Sequence, residues 1–321
     1  MSTPLPSLII GPAIVTWNGY TYYTKAGVKV DFQRATFFIE TDFDGKIDER
    51  HQAQKTTVSL QPVGSIAGLT ACFPYGVGAV GTRLFGTTNL PLVIVTKFGG
   101  ASNTGQTITY PRAALTQCPP LRLQPTATLF GELAFTCLGD PTVQPNTSTA
   151  WEALADVAFA DTSFDESAII TDNYSAAWGA SPYNAMGSQT GFAIDLTLEL
   201  GAIDDDSYGH VDLVLKSLTA TARFVPNNLT QANFTALLAN QNTGYIYPGM
   251  SLARATHDLV ITGSGNQGSG HTLTATLKNA GPKQGSYRYG VDQHRFASLE
   301  FTSRRTWTSG TANPLLTLAA A

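Results

Sequence analysis

The chain has 321 residues, of which 43% are hydrophobic and only 13% charged, with a formal net charge of −4. That length suits one large domain or two ordinary ones. The balance marks a globular chain and excludes a generic nucleic-acid binder, since phosphate contacts need a basic surface; it leaves room for a surface that DNA slides past. An uncharged polar surface rich in Thr, Ser, Asn and Gln favours β structure and side-by-side packing. The three cysteines, Cys72, Cys118 and Cys137, show no C-x-x-C spacing and read as free thiols of a reducing compartment. The opening MSTPLPSLIIGPAIVTW has no basic n-region, and its apolar run is too short for a signal peptide or a membrane span.

In chain order, residues 8–17 predict a first strand, interrupted at Gly11-Pro12, and Asn18-Gly19 predicts a hairpin turn. Ala26-Gly27 predicts a second turn. Val28, Val30 and Phe32 then alternate with Lys29, Asp31 and Gln33, a half-buried strand that Phe37-Phe38-Ile39 continues. Asp42 to His51 predicts a long charged loop, and the chain returns through Thr56 to Leu60. Ser65–Phe73 can form a short helix, and Leu229–Gln241 a clearer one with Thr230 as N-cap. Further strands are predicted at Leu92–Val95, Thr107–Thr109, Phe130–Thr136, Leu259–Ile261, Thr272–Thr274 and Phe296–Thr302. Residues 141–170 read as a linker whose Trp151, Leu154 and Ala155 predict a short helix over Thr149–Val157. The uncharged tail TSGTANPLLTLAAA needs a neighbour to cover it.

The chain states one stretch twice. Gly27–Pro62 falls on Gly191–Pro226 without a gap, a shift of 164 positions. Gly27, Asp31, Ile39, Asp42, Gly45, Asp48, Thr57 and Pro62 meet identical residues at 191, 195, 203, 206, 209, 212, 221 and 226. Later strands follow in the same order at shifts of 165 to 167. A tandem duplication follows as the expectation, with a first unit at 1–140, the linker at 141–170 and a second unit at 171–321.

Motifs for chemistry are absent from the sequence. No Walker loop, no G-x-S-x-G frame and no metal-spaced His or Cys pair occurs, so neither an enzyme nor a cofactor is expected. The acidic run Asp204-Asp205-Asp206, followed by His210 and Asp212, offers hard oxygen ligands, but the ligand ladder of an EF-hand is missing and the stretch reads as a solvated loop. Low charge, long polar loops and apolar arms fit a subunit whose surface is covered by copies of itself.

The segments GPAIVTWNGY and DFDGKID, and strands ending in Gln-Pro and Val-Pro, resemble major tail tube proteins of long-tailed bacteriophages with non-contractile tails. The resemblance covers nearly the whole chain. It implies an all-β chain with short helices: two tandem tail-tube-like β-sandwich/barrel domains, each with one flanking helix. It also implies stacked rings whose inner strands line a conduit for DNA ejection, without specific DNA binding, and a place in the virion after assembly in the host cytoplasm. With two copies per chain, three chains would fill six ring positions. Ring stacking would fall to the two charged loops: Asp42, Asp44, Lys46, Asp48, Glu49 and Arg50 in the first, and Asp204, Asp205, Asp206 and His210 in the second. By analogy the tube's partners would be a tape measure, a tail terminator and a baseplate. A capsid decoration or fibre protein, or a hexamer of one tube domain plus a decoration domain, is the alternative.

Overall fold

The computed structural model describes residues 13–63, 80–86, 90–97, 104–124, 130–144, 147, 150–158, 170–179, 186–205, 209–227, 257–265, 272–287, 296–305, 307–308 and 311–320. Over these the chain is almost entirely antiparallel β-sheet, as the period-2 patterning predicts. The first half contributes β1 (Ala13–Trp17), β2 (Tyr20–Thr41), β3 (Gly45–Val63), β4 (Leu92–Lys97), β5 (Thr104–Tyr110), β6 (Arg112–Gln117), β7 (Leu121–Leu123), β8 (Leu133–Leu138) and β9 (Ala153–Ala158). The second contributes β10 (Ile170–Trp178), β11 (Gly187–Asp205), β12 (Gly209–Asn227), β13 (His257–Gly265), β14 (Thr272–Tyr287), β15 (Phe296–Thr302), β16 (Trp307–Thr308), β17 (Thr311–Ala312) and β18 (Leu316–Ala320).

One sheet runs β6-β8-β3-β2-β1-β4-β5-β9. It doubles over, bringing β1 against β6 and β8. The Trp17 indole donates its N–H to the Ala113 carbonyl at 3.0 Å, and its ring packs 5.1 Å from that of Phe135. The second sheet runs β10-β13-β14-β15-β12-β11, with β18 also on β14. There Trp178 donates to the Ala280 carbonyl at 2.8 Å and packs 5.4 Å from Phe301. A buried tryptophan whose only polar atom reaches a backbone acceptor combines a large apolar area with a satisfied hydrogen bond. Trp17, Phe135, Trp178 and Phe301 belong to one continuous buried core that also takes in Val15, Leu60, Ile94, Leu133, Ile194 and Phe224.

The hairpins β2–β3 and β11–β12 correspond partner for partner. Every Cα pairing of the first recurs in the second with 164 added to both numbers, from Tyr23↔Val63 and Gly187↔Asn227 to Thr41↔Gly45 and Asp205↔Gly209. Each hairpin carries three register shifts, and they match: Thr24/Val28 with Ser188/Phe192, Ala35/Thr36 with Glu199/Leu200, and Ile39/Glu40 with Ile203/Asp204. Bulges need a particular backbone at a particular residue, so matched bulges are a stronger sign of equivalence than matched apolar positions. The first of them lies at Gly27 and Gly191, with φ of +82° and +80°. A Cβ makes that conformation costly, which accounts for glycine at both sites. The last strand of each half also corresponds. β9 pairs with β5 through Ile108↔Leu154, and β18 with β14 through Ala275↔Leu318.

Several expectations are corrected. Ala26-Gly27 makes a bulge inside β2 rather than a turn. Asp42–His51 is not a long loop: only Asp42-Phe43-Asp44 turns, and Gly45–His51 is strand. Lys46, Asp48, Glu49 and Arg50 are therefore strand residues, as are Asp204, Asp205 and His210. The helix expected over Thr149–Val157 is replaced by β9, because β5 offers an open sheet edge and strand pairing satisfies more backbone than a short isolated helix can. That strand lies on the first half's sheet, so the segment 141–170 is not wholly a linker. The C-terminal tail is covered by its own half, through β18 on β14. The helices expected at Ser65–Phe73 and Leu229–Gln241 lie outside the described residues, as does the start of the first predicted strand.

Candidate assembly interface

Among the described residues the halves share backbone hydrogen bonds at two contacts, and each uses backbone that a strand leaves open on one side. In the first, β7 adds to the outer edge of β11 through Leu123↔Phe192, Arg122↔Ala193 and Leu121↔Ile194, so the second sheet continues into the first half. The Arg122 guanidinium donates to Asp195 Oδ1 at 3.0 Å. Gly191 has to be glycine twice over: besides its positive φ, a Cβ there would lie 2.5 Å from both the Leu123 carbonyl oxygen and Gln124 Cβ.

In the second contact, residues Gly81–Phe85 lie along β12. Gly81 N–H donates to the Leu215 carbonyl at 2.7 Å, Leu84 N–H to the Leu213 carbonyl at 2.8 Å, and Leu215 N–H to the Thr82 carbonyl at 2.9 Å. Asp212 is the centre of this contact. Its carboxylate is buried, with 1% of the side chain exposed. It accepts from Arg83 Nε at 2.8 Å, from the buried Phe85 N–H at 3.1 Å and from Leu213 N–H at 2.7 Å. A buried carboxylate is tolerable only with such a set of charge-assisted donors. Above it Arg112 lies over the Phe85 ring at 5.1 Å and donates to the Gly139 carbonyl at 3.1 Å. Burial pulls the Arg112 guanidinium below its usual range, with Asp212 and Asp140 opposing that shift.

The expected charged positions fall into two clusters, one on each hairpin. On the first, Glu49 accepts from Lys46 Nζ at 2.8 Å and Thr36 Oγ1 at 2.6 Å. These bonds, Lys46 foremost, hold its carboxyl below the usual range. Lys46 also lies 3.5 Å over the Phe38 ring. Asp48 accepts from Glu49 N–H at 2.8 Å, with Arg50 Nε 3.6 Å from its other oxygen. At the turn, Asp44 N–H donates to Thr41 Oγ1 at 3.1 Å, while Asp42 and Asp44 face solvent. On the second hairpin the His210 ring bonds Asp204 across the strands; Asp205 is exposed beside it, and Asp206 lies outside the described residues. Among the described residues, no group of three or more His, Cys, Asp or Glu gathers to hold a metal. Cys118 and Cys137 are buried thiols, and Cys72 lies outside the described residues.

The two hairpins differ most in what covers them. Val30, Phe32, Phe37, Phe38, Phe43 and Ile47 are exposed large apolar residues, all on the first hairpin. Val30 is 38% exposed and Phe32 67%, whereas their counterparts Ile194 and Leu196 are 0% and 5%. So many exposed large apolar residues on one hairpin, against buried counterparts on the other, are a candidate interaction surface. The sequence signals that could have found the interface were already visible in the repeat: Asp31/Asp195 and Asp48/Asp212 are two of its identities. Arg83 and Arg122, the cations that meet the second member of each pair, carry no such signal. No protein-family model matches the chain, and no curated protein matches its sequence. No helix among the described residues is long and apolar enough to cross a membrane.

Proposed function

We propose that the chain is a structural subunit that polymerises with itself into stacked rings forming a tube, in the manner of the tail tube of long-tailed, non-contractile bacteriophages. The observation that carries this reading is the repeated long hairpin, identical in register and bulges, joined laterally to the other half by strand addition. A unit that already pairs sideways with its own repeat can pair sideways with further copies, and closing the sheet into a barrel removes the exposed strand edges. On this reading each chain holds two tube units, three chains complete a ring of six positions, and the lumen conducts DNA without binding it. The hairpin ends, with Asp42 and Asp44 on one and Asp204, Asp205 and His210 on the other, meet the next ring. The chain has no catalytic role here, and a tape measure, terminator and baseplate are its partners by analogy, in a virion assembled in the host cytoplasm.

Electron microscopy of the purified protein at high concentration tests this. Stacked rings with three-fold chain symmetry are expected, and Asp42→Lys with Asp44→Lys is expected to leave rings while shortening the stacks. Persistent monomers sink the reading. Six chains per ring would remove the two-units-per-chain arrangement alone.

A further inference from the structure

We propose that the second sheet carries a binding site for a small tetrahedral oxyanion of the phosphate class, at the seam between the halves, with Arg122 and Arg223 as its cationic donors. The site goes beyond the assembly reading and does not depend on it, since both arginines belong to one chain.

The site is built on a single row across the strands. Arg122 of β7 pairs with Ala193 of β11, Ala193 with Arg223 of β12, and Arg223 with Glu300 of β15. Residues directly opposite one another share a face of the sheet. This row is on the face away from the core, because the neighbouring Phe192 and Phe224 are buried on the other side. Adjacent strands lie about 4.8 Å apart, so the two arginine backbones stand about 10 Å apart with only a methyl group between them. The gap over Ala193 is a cleft of about 200 Å³, lined also by Gln124, Thr190 and Ser298. Among the described residues no carboxylate lines it.

Each arginine is held from outside the cleft. Arg122 Nη1 donates to Asp195 Oδ1 at 3.0 Å, and Arg223 Nε donates to Glu300 Oε2 at 2.8 Å. A guanidinium has five N–H groups, so these bonds fix the planar group and leave donors for a ligand. Lys283 Nζ stands 3.6 Å from the other Glu300 oxygen. Arg122, Arg223 and Lys283 thus outnumber Asp195 and Glu300, and the cluster keeps a positive charge. Arginine forks match phosphate oxygens in pairs. The Thr190 and Ser298 hydroxyls and the Gln124 amide supply further donors, in more directions than a planar carboxylate accepts.

The repeat shows that folding does not require this set. The same row of the first half reads Lys29, Ser59 and Ala134. Glu132 stands 166 positions before Ser298, so an acid occupies the place of the serine. The alanine floor, Arg223 and Ser298 are particular to the second half, whereas Gly27 and Asp31 recur unchanged at 191 and 195. With Arg122 on the first half and Arg223 on the second, a bound anion clamps the two together.

Isothermal titration of the full chain with inorganic phosphate, at an ionic strength held constant with chloride, tests the site. Binding at one site per chain is expected, with a dissociation constant on the order of 1 mM. Phosphate should also raise the midpoint of thermal unfolding where chloride does not. Arg122→Gln and Arg223→Gln should each weaken binding by about tenfold or more. Those changes also leave a carboxylate unpaired, so two further variants spare the arginines. Ala193→Leu fills the cleft without altering charge, and Ser298→Glu sets an acid in it on an exposed side chain; each should abolish binding while circular dichroism stays unchanged. Wild-type protein that takes up no phosphate overturns the proposal, and so does either of these folded variants binding as tightly as wild type. Duplex DNA that displaces phosphate from the wild type would overturn the small-anion assignment in favour of a nucleic-acid backbone.

Discussion

Replacing Asp212 by alanine is the sharpest test of how the two halves are held together. The substitution removes three hydrogen bonds at once. Their loss is not equally costly. Arg83 is 57% exposed and returns to water, so its ion pair is worth at most about 1 kcal/mol. The Phe85 N–H is buried and loses its acceptor, at a cost of about 1–3 kcal/mol. The Leu213 N–H is half-buried and adds a smaller share. Asp212→Ala should therefore destabilise the chain by roughly 3 kcal/mol. Asp212→Asn can keep its amide oxygen on the two backbone donors but turns its NH2 toward Arg83 and loses that ion pair; Arg83 is exposed and can turn to water, so the change should cost about 1 kcal/mol. Urea unfolding of the dilute protein, followed by the fluorescence of the buried Trp17 and Trp178, measures both. An alanine variant within about 1 kcal/mol of wild type would refute the claim that this carboxylate anchors the halves.

Trp17→Phe and Trp178→Phe each delete an indole bond to a buried carbonyl and leave a small void; each should cost about 2–3 kcal/mol in the same urea series, and a marked inequality would argue against equivalent roles. Glu300 provides a pH test. Its carboxyl is held below the ordinary 4.5 chiefly by the hydrogen bond from Arg223, with Lys283 assisting. A depressed folded-state pKa gives stability that is present above the unfolded value and is lost as pH falls through the folded one. Glu300→Gln should therefore flatten the loss of stability below pH 4.5, and an unchanged acid profile would contradict it.

Much of the fold was legible because alternation and turn chemistry are local. Asn18-Gly19 turns with φ of +51° and +78°, the conformation that pair favours in a tight hairpin. The repeat was legible because glycines and aspartates with structural duties recur at fixed spacing. Two misreadings have physical causes. Lys46 to Arg50 reads as loop because charge normally marks solvated backbone, yet this strand continues beyond the core and needs no apolar face there. Trp151, Leu154 and Ala155 have helical spacing, but an unpaired β5 edge outweighs weak local propensity. The charged residues were found at the hairpin ends, whereas the contact residues Arg83, Phe85 and Arg122 are set by three-dimensional proximity between halves, which no local pattern encodes.

The position of β9 gives the chain a direction in time. β9 ends at Ala158, and by then every strand of the first sheet has been made, including the one that closes its β5 edge. β11, by contrast, takes one of its neighbours, β7, from the earlier half. During synthesis, which runs from the N-terminus, every strand of the first sheet is available for pairing before β10 has been translated. The first half then presents β7 and Gly81–Phe85 as a ready-made template on which the next hairpin is laid down. The order of synthesis thus matches the order of dependence: the second hairpin is laid on strands that the first half has already supplied.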